Sequence, residues 1–197
     1  MDAFERRLMR APSPAARAYS WFKATVFALL AWNTAVFLFT GTLGDALDAT
    51  AWLVLLVLFE LETGFGERAL TEGAKTAVHW ARIAAAAAVI AAAIGYVHER
   101  EWPDAVNSAL WIAVVGLLEI EVRHPGAVAR HRAQFATAAA TLYAGLGALV
   151  LIWWWRGEWF DAYDAALWLI ALATVEINVL RYSRPGAYAE ASAPEPR

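Results

Sequence analysis

Residues 53–66 read LVLLVLFELETGFG, in which seven apolar residues lead directly into Glu60 and, two positions later, into Glu62. An apolar run of this kind is typical of a helix that crosses a membrane. A carboxylate close to the end of such a helix requires a partner or water, because an isolated charge in hydrocarbon is costly. The same combination of an apolar run and a terminal acid recurs elsewhere in the chain, and it decides the predicted fold.

The composition favours an integral membrane protein. Of the 197 residues, 60% are hydrophobic and only 18% are charged, whereas about a quarter of the residues of a soluble domain are charged. The apolar residues also form blocks, without the alternation of a surface helix or strand. The chain contains no cysteine, which excludes disulfides, thiolate metal sites and cysteine nucleophiles.

Six apolar blocks are separated by short polar stretches, and each block is long enough to cross the hydrocarbon core as a helix. The predicted spans are 21–40, 46–62, 79–97, 105–121, 135–155 and 162–180. Helices are expected because a lipid-facing segment must satisfy its own backbone hydrogen bonds. We therefore predict an all-α membrane domain, preceded by an N-terminal arm at 1–20 and followed by a disordered tail at 185–197.

The lysines and arginines predict the orientation of these spans. Fourteen of the 16 basic residues fall on one side of the six predicted helices, which we call the basic end. This bias predicts a multi-pass protein of the cell inner membrane with both termini in the cytoplasm. The opposite side, which we call the acidic end, carries three short connections rich in aspartate and glutamate.

Three of the six predicted helices share one sequence frame. The repeated segments read DALDATAWLVLLVLFELE (45–62), DAVNSALWIAVVGLLEIE (104–121) and DAYDAALWLIALATVEIN (161–178). Each has an Asp-Ala pair, a tryptophan seven residues after the aspartate and a glutamate eight residues further on. We predict three parallel αα-hairpin repeats, related by a pseudo-three-fold axis along the membrane normal and occupying residues 21–62, 79–121 and 131–180.

The recurring glutamate is the main candidate functional residue. It occurs at one depth in every repeat, as Glu60, Glu119 and Glu176. The position two residues later is secondary, because residues two apart on a helix point to nearly opposite sides; it holds Glu62, Glu121 and Asn178.

Two interpretations of these glutamates remain open. In the structural one, Lys23 and Arg82 lie at the same level on neighbouring helices and pair with the carboxylates, since buried charges usually have partners. In the functional one, the three glutamates form a ring around the pseudo-axis that binds or relays a cation or a proton.

Two other sets of residues have weaker functional signals. His79 and His131 lie near the same level, so with the glutamates they could hold a metal or a haem, but no ligand signature accompanies them and no cofactor is predicted. Asp45, Asp104 and Asp161 each open a repeated helix. We expect them to cap free backbone N–H groups and to meet the positive end of the helix dipole.

The absence of familiar catalytic motifs narrows the function. The sequence has no P-loop, no Gly-x-Ser-x-Gly and no His-Glu-x-x-His, so a membrane enzyme ranks third among the hypotheses, behind the two given next. The preferred hypothesis is a small channel or transporter for a cation or proton. The alternative is a non-enzymatic accessory or assembly subunit of a larger membrane complex. The protein is expected to lie in the lipid bilayer, as a homo-oligomer or as part of a larger membrane complex. A nucleic acid is not expected as a partner.

Overall fold

The computed structural model describes residues 14–65 and 71–182, with side chains described over 17–61 and 71–173. This part of the chain is entirely helical and contains no β-strand. Its seven helices are α1 (Pro14–Thr40), α2 (Leu43–Phe65), α3 (Glu72–Glu99), α4 (Trp102–Arg123), α5 (Pro125–Arg130), α6 (Arg132–Arg156) and α7 (Trp159–Tyr182). The predicted tail at 185–197 lies outside the described residues.

Four of the described helices are long and apolar enough to cross a membrane. They are α1 from Arg17 onward, α3, α4 and α6. The spans predicted at 46–62 and 162–180 fall within α2 and α7, which are not among these four. The helical, membrane-compatible character of the chain is thus confirmed, whereas a full set of six spans stays a prediction.

All three connections at the acidic end are two residues long, at 41–42, 100–101 and 157–158. The second and third connections each begin with a residue in the left-handed region. These residues are Arg100 (φ 65°), after α3, and Gly157 (φ 81°), after α6. The next amide then donates back to a carbonyl five residues earlier, from Glu101 to Tyr96 and from Glu158 to Trp153, at 2.9 Å in both cases. These contacts form the same helix-ending motif twice.

The first connection, at 41–42, has a different pattern of hydrogen bonds, but it also fixes the start of the helix that follows, α2. Thr42 and Asp45 form a reciprocal capping box: the Thr42 amide donates to Asp45 Oδ2 at 2.9 Å, and the Asp45 amide donates to Thr42 Oγ1 at 3.2 Å. Each of α2, α4 and α7 therefore starts after a connection of two residues. Asp45, Asp104 and Asp161 each become the third residue of their helix.

The chain divides into two compact units. The smaller unit combines Met1–Leu29 with Leu167–Arg197, and the larger unit is Leu30–Ala166. Within the larger unit, α2 packs against α3, α3 against α4, and α4 against α6. The approach of α4 to α6 is close at Gly145, where a Cβ atom would lie 3.1 Å from Leu110 Cδ1.

The core of the larger unit lies next to the acidic end. One cluster of buried side chains joins α6 to the start of α7 through Leu149, Trp153, Ala162 and Ala165. A second joins α3 to the start of α4 through Ala92, Tyr96 and Ala105. Because both clusters include residues within one or two turns of a connection, they hold the starts of α4 and α7 in place.

Candidate functional site

The larger unit gathers five aspartates from the first two turns of α2, α4 and α7. We call this group the acidic cluster; its members are Asp45, Asp48, Asp104, Asp161 and Asp164. All five side chains are half-buried. Each of the three helices begins with the same sequence frame and follows a connection of the same length, so the cluster is a direct result of the internal repeat.

Neutral donors from surrounding helices hold the carboxylates in place. The Tyr96 hydroxyl on α3 donates to Asp45 Oδ1 at 3.1 Å. The Asn33 amide on α1 donates from Nδ2 to Asp164 Oδ1 at 2.8 Å. These two contacts join α3 to the start of α2 and α1 to the start of α7.

The aspartates of the acidic cluster also interact electrostatically with one another. Asp48 lies within reach of the charges of Asp45, Asp104 and Asp164. Asp104 in turn interacts with Asp161 and Asp45, and Asp161 interacts with Asp45. The three equivalent aspartates, one from each repeat, therefore interact electrostatically with one another. Like charges brought together in a partly buried site raise the energy of the ionised form, which favours the arrival of a positive charge.

Asp161 immediately precedes its predicted span, 162–180, as Asp45 and Asp104 precede theirs. Burial raises the pKa of this carboxyl above its ordinary value, and the negative charges of Glu158 and Asp45 add to the rise. A hydrogen bond to its own backbone amide and the charge of Arg156 oppose the shift. Arg156 also forms an ion pair with Glu158, with Nη2 and Oε1 2.9 Å apart.

The tryptophan of each frame lies four residues after the position held by Asp48, Asn107 or Asp164. This is about one turn further toward the middle of the helix. The Trp52 indole donates to Asp48 Oδ1 at 3.1 Å and thereby ties the ring to the cluster. Its ring also packs against Trp111 of α4, with 5.9 Å between ring centroids. Since Trp52 and Trp111 occupy equivalent positions of two repeats, the tryptophan of the frame serves to pack the repeated helices against each other.

Several buried polar atoms around the cluster have no hydrogen-bond partner within the described part of the chain. They are Asn33 Oδ1, Thr50 Oγ1, Asn107 Oδ1 and Ser108 Oγ. Asn33 and Ser108 are the most enclosed, each only 1% exposed. Buried polar atoms are normally satisfied, so four such oxygens near one end of three helices require an explanation.

The predicted glutamates lie at the other end of the same helices. Glu60 is half-buried, and Glu119 is exposed and forms an ion pair with Arg123 of its own helix. Glu60, Lys23 and Arg82 each have at least one noncovalent partner. Glu121 is half-buried, and the side chains of Glu62, Glu176 and Asn178 lie outside the described residues. The proposed glutamate ring therefore stays a prediction.

The histidines considered as metal or haem ligands are both exposed. His79 packs edge-on against Trp80, with 5.8 Å between ring centroids, and His131 lies between α5 and α6. Within the described residues, no three histidine or carboxylate side chains are grouped so that they could hold a metal ion.

One polar position of the repeat was not predicted to belong to a site. Three residues after the recurring aspartate, the frame contains Asp48, Asn107 and Asp164, all with polar side chains. In the structure this position provides two carboxylates of the acidic cluster and one unpartnered amide oxygen. The signal was visible in the aligned segments, because a polar residue recurred at this position in all three repeats.

Comparisons with protein-family models, with curated proteins and with solved structures gave no match for this chain. The site is accordingly interpreted from its own residues.

Proposed function

We propose that this protein is a small multi-pass protein of the cell inner membrane that lets a cation or a proton cross the bilayer. In this proposal the chain has six transmembrane helices arranged as three hairpin repeats, and both termini are cytoplasmic. The acidic cluster lies at the outer mouth of the path, and Glu60, Glu119 and Glu176 line its cytoplasmic half. The glutamates form the second group of carboxylates along the same three helices.

One observation carries this proposal: equivalent aspartates from three repeats are mutual electrostatic neighbours in a partly buried site. A protein that only needed to cap its helices could place these carboxylates apart and in water. A ring of acids at the mouth of a membrane bundle attracts cations and raises their local concentration, which is how cation pathways are commonly lined.

The proposal is tested by ion flux into liposomes that contain the purified protein. Wild type is compared with the triple variant Glu60→Gln, Glu119→Gln and Glu176→Gln, and with Glu72→Gln as the control. Glu72 is an exposed acid at the start of α3 that pairs with Lys75. We expect cation or proton flux in the wild type and the control, and a loss of about tenfold or more in the triple variant, because each carboxylate removed weakens cation binding.

Two results would overturn the proposal. The first is wild-type flux that the triple variant retains in full, since the glutamates would then have no part in it. The second is a wild type that does not exceed empty liposomes. Co-purification of a specific membrane complex, together with that second result, would favour the accessory-subunit alternative.

A further inference from the structure

The segment that joins α4 to α6 is basic and contains no acidic residue. Residues 122–134, which we call the basic link, read VRHPGAVARHRAQ and include three arginines and two histidines. After Glu121, the next acidic residue along the chain is Glu158, which follows the far end of α6. No acid of the link itself therefore balances its positive charges.

Backbone hydrogen bonds give the basic link a defined structure. The His124 carbonyl accepts from the amides of Ala127 and Val128, at 3.0 and 3.1 Å, where α5 begins. The His131 amide donates to the carbonyls of Ala127 and Val128, at 3.1 Å in both cases, where α5 ends. The His131 carbonyl then accepts from the Gln134 amide at 2.9 Å, in the first turn of α6. Since α5 also packs against α4 and α6, the link is held between these two helices.

The basic side chains of the link are all exposed, whereas its half-buried residues within α5 are apolar. The half-buried residues are Ala127 and Val128. The exposed basic residues are Arg123, His124, Arg130, His131 and Arg132. The link thus packs apolar groups against the protein and presents its charges on the surface.

Two arginines of the link are not neutralised by the protein. Within the described part of the chain, no ion pair includes Arg130 or Arg132. Arg123, in contrast, pairs with Glu119 of its own helix, and Lys75 near the start of α3 pairs with Glu72 at 2.7 Å. Two exposed guanidinium groups on either side of His131 are therefore available to an anion from outside the chain.

The basic link lies where two apolar helices end. Both α4 and α6 are long and apolar enough to cross a membrane, and they border the link at Arg123 and Arg132. When these helices cross the bilayer, their ends lie at the level of the lipid headgroups. Val122, next to Arg123, is 76% exposed, and an exposed apolar side chain beside a charged one fits the border between hydrocarbon and headgroups.

An anionic phospholipid matches both properties of this surface. A guanidinium group binds phosphate through paired N–H donors, and basic residues next to a membrane span are attracted to anionic lipids. The phosphate of such a lipid meets the arginines while its acyl chains lie beside the apolar helices. A soluble polyanion supplies only the charge.

We propose that the basic link binds the phosphate headgroup of an anionic phospholipid through Arg130 and Arg132. The bound lipid would hold the link, and with it the adjoining ends of α4 and α6, at the membrane surface. The inference goes beyond the proposed function, since a lipid can bind here whether or not an ion crosses the membrane.

Native mass spectrometry of the purified protein in detergent tests this binding without any measurement of flux. Phosphatidylglycerol and phosphatidylcholine with identical acyl chains are titrated separately, and the fraction of protein that carries a lipid gives an apparent dissociation constant for each. We expect phosphatidylglycerol to bind more tightly by about tenfold or more. The double variant Arg130→Gln with Arg132→Gln should lose this preference, because each arginine near a phosphate contributes to the attraction.

Two control variants separate a local site from net charge and from misfolding. Arg100→Gln with Arg156→Gln also removes two exposed arginines, but from the acidic end, and it should keep the preference. Arg130→Lys with Arg132→Lys keeps both positive charges and should also retain it. Loss of the preference in either control would contradict a charged headgroup site at the basic link.

Three further results would overturn the inference. They are equal affinities of the wild type for the two lipids, an unchanged preference in the double glutamine variant, and displacement of phosphatidylglycerol by an equimolar amount of glycerol 3-phosphate. The last result would show that a free phosphate compound, and not a lipid, occupies the link. A preference for phosphatidylglycerol in a protein without ion flux would support the inference and overturn only the proposed function.

Discussion

The two ends of the repeated helices use the same kind of residue in different ways. At the acidic end, two of the aspartates accept hydrogen bonds from other helices, Asp45 from Tyr96 and Asp164 from Asn33. At the basic end, Glu119 pairs with Arg123 one turn further along its own helix. Contacts between helices hold a site together, whereas a contact within one helix holds only that helix.

The difference between the two ends follows from the connections that join the helices at each end. Two-residue turns and a capping box fix where each repeated helix begins, so the first two turns have defined positions relative to the neighbouring helices. At the basic end the links are longer, and a short helix, α5, lies between α4 and α6. Repetition in the sequence therefore produces a cluster of side chains where the connections are short and equal in length.

The largest expected contrast between the two ends is in packing. Trp111 is buried against Trp52, and Trp111→Ala would leave a cavity that lipid cannot fill. The expected loss in the free energy of unfolding is about 3 kcal/mol or more, as is usual when a buried tryptophan is replaced by alanine. Trp80 at the basic end is 62% exposed, and Trp80→Ala should cost less than about 0.5 kcal/mol. Reversible unfolding in detergent measures both, and equal losses would contradict the proposed packing role.

A smaller contrast is expected between the polar contacts of the two ends. Tyr96→Phe keeps the ring but removes the hydroxyl that lies 3.1 Å from Asp45 Oδ1, so the free energy of unfolding should fall by about 1.5 kcal/mol. Arg123→Gln breaks an exposed pair within one helix and should cost about 0.5 kcal/mol or less.

A double-variant cycle identifies the source of the Tyr96 effect. If the loss comes from the hydrogen bond to Asp45, the combination of Tyr96→Phe with Asp45→Ala should destabilise by clearly less than the sum of the single variants. Strictly additive losses would show that the hydroxyl acts elsewhere.

The sequence was sufficient for much of this architecture, and the reasons are physical. Apolar blocks of about 20 residues predict helices because hydrocarbon permits little else. The recurring aspartate predicted where three helices begin, and Asp45, Asp104 and Asp161 all lie in first turns. These are local properties, and they can be recognised within one segment of the chain.

What the sequence did not predict depends on contacts between segments distant in the chain. Asn33 lies within the first predicted span, 21–40, yet its amide donates to Asp164, 131 residues later. Asp48 and Asp164 were not recognised as site residues, because their importance depends on which helices meet. The emphasis on Glu60, Glu119 and Glu176 came from their equal depth and their recurrence in three repeats, neither of which reveals a neighbour on another helix.

Cross-linking of introduced cysteines tests the central claim, the convergence of the three repeats at the acidic end, most directly. The chain contains no cysteine of its own, so each pair introduced at positions 45, 104 and 161 can be probed with a short bifunctional thiol reagent without background. The account predicts efficient cross-linking for all three pairs, while a control pair joining position 45 to the exposed position 119 does not react. Failure of any one of the three pairs in folded protein would contradict it.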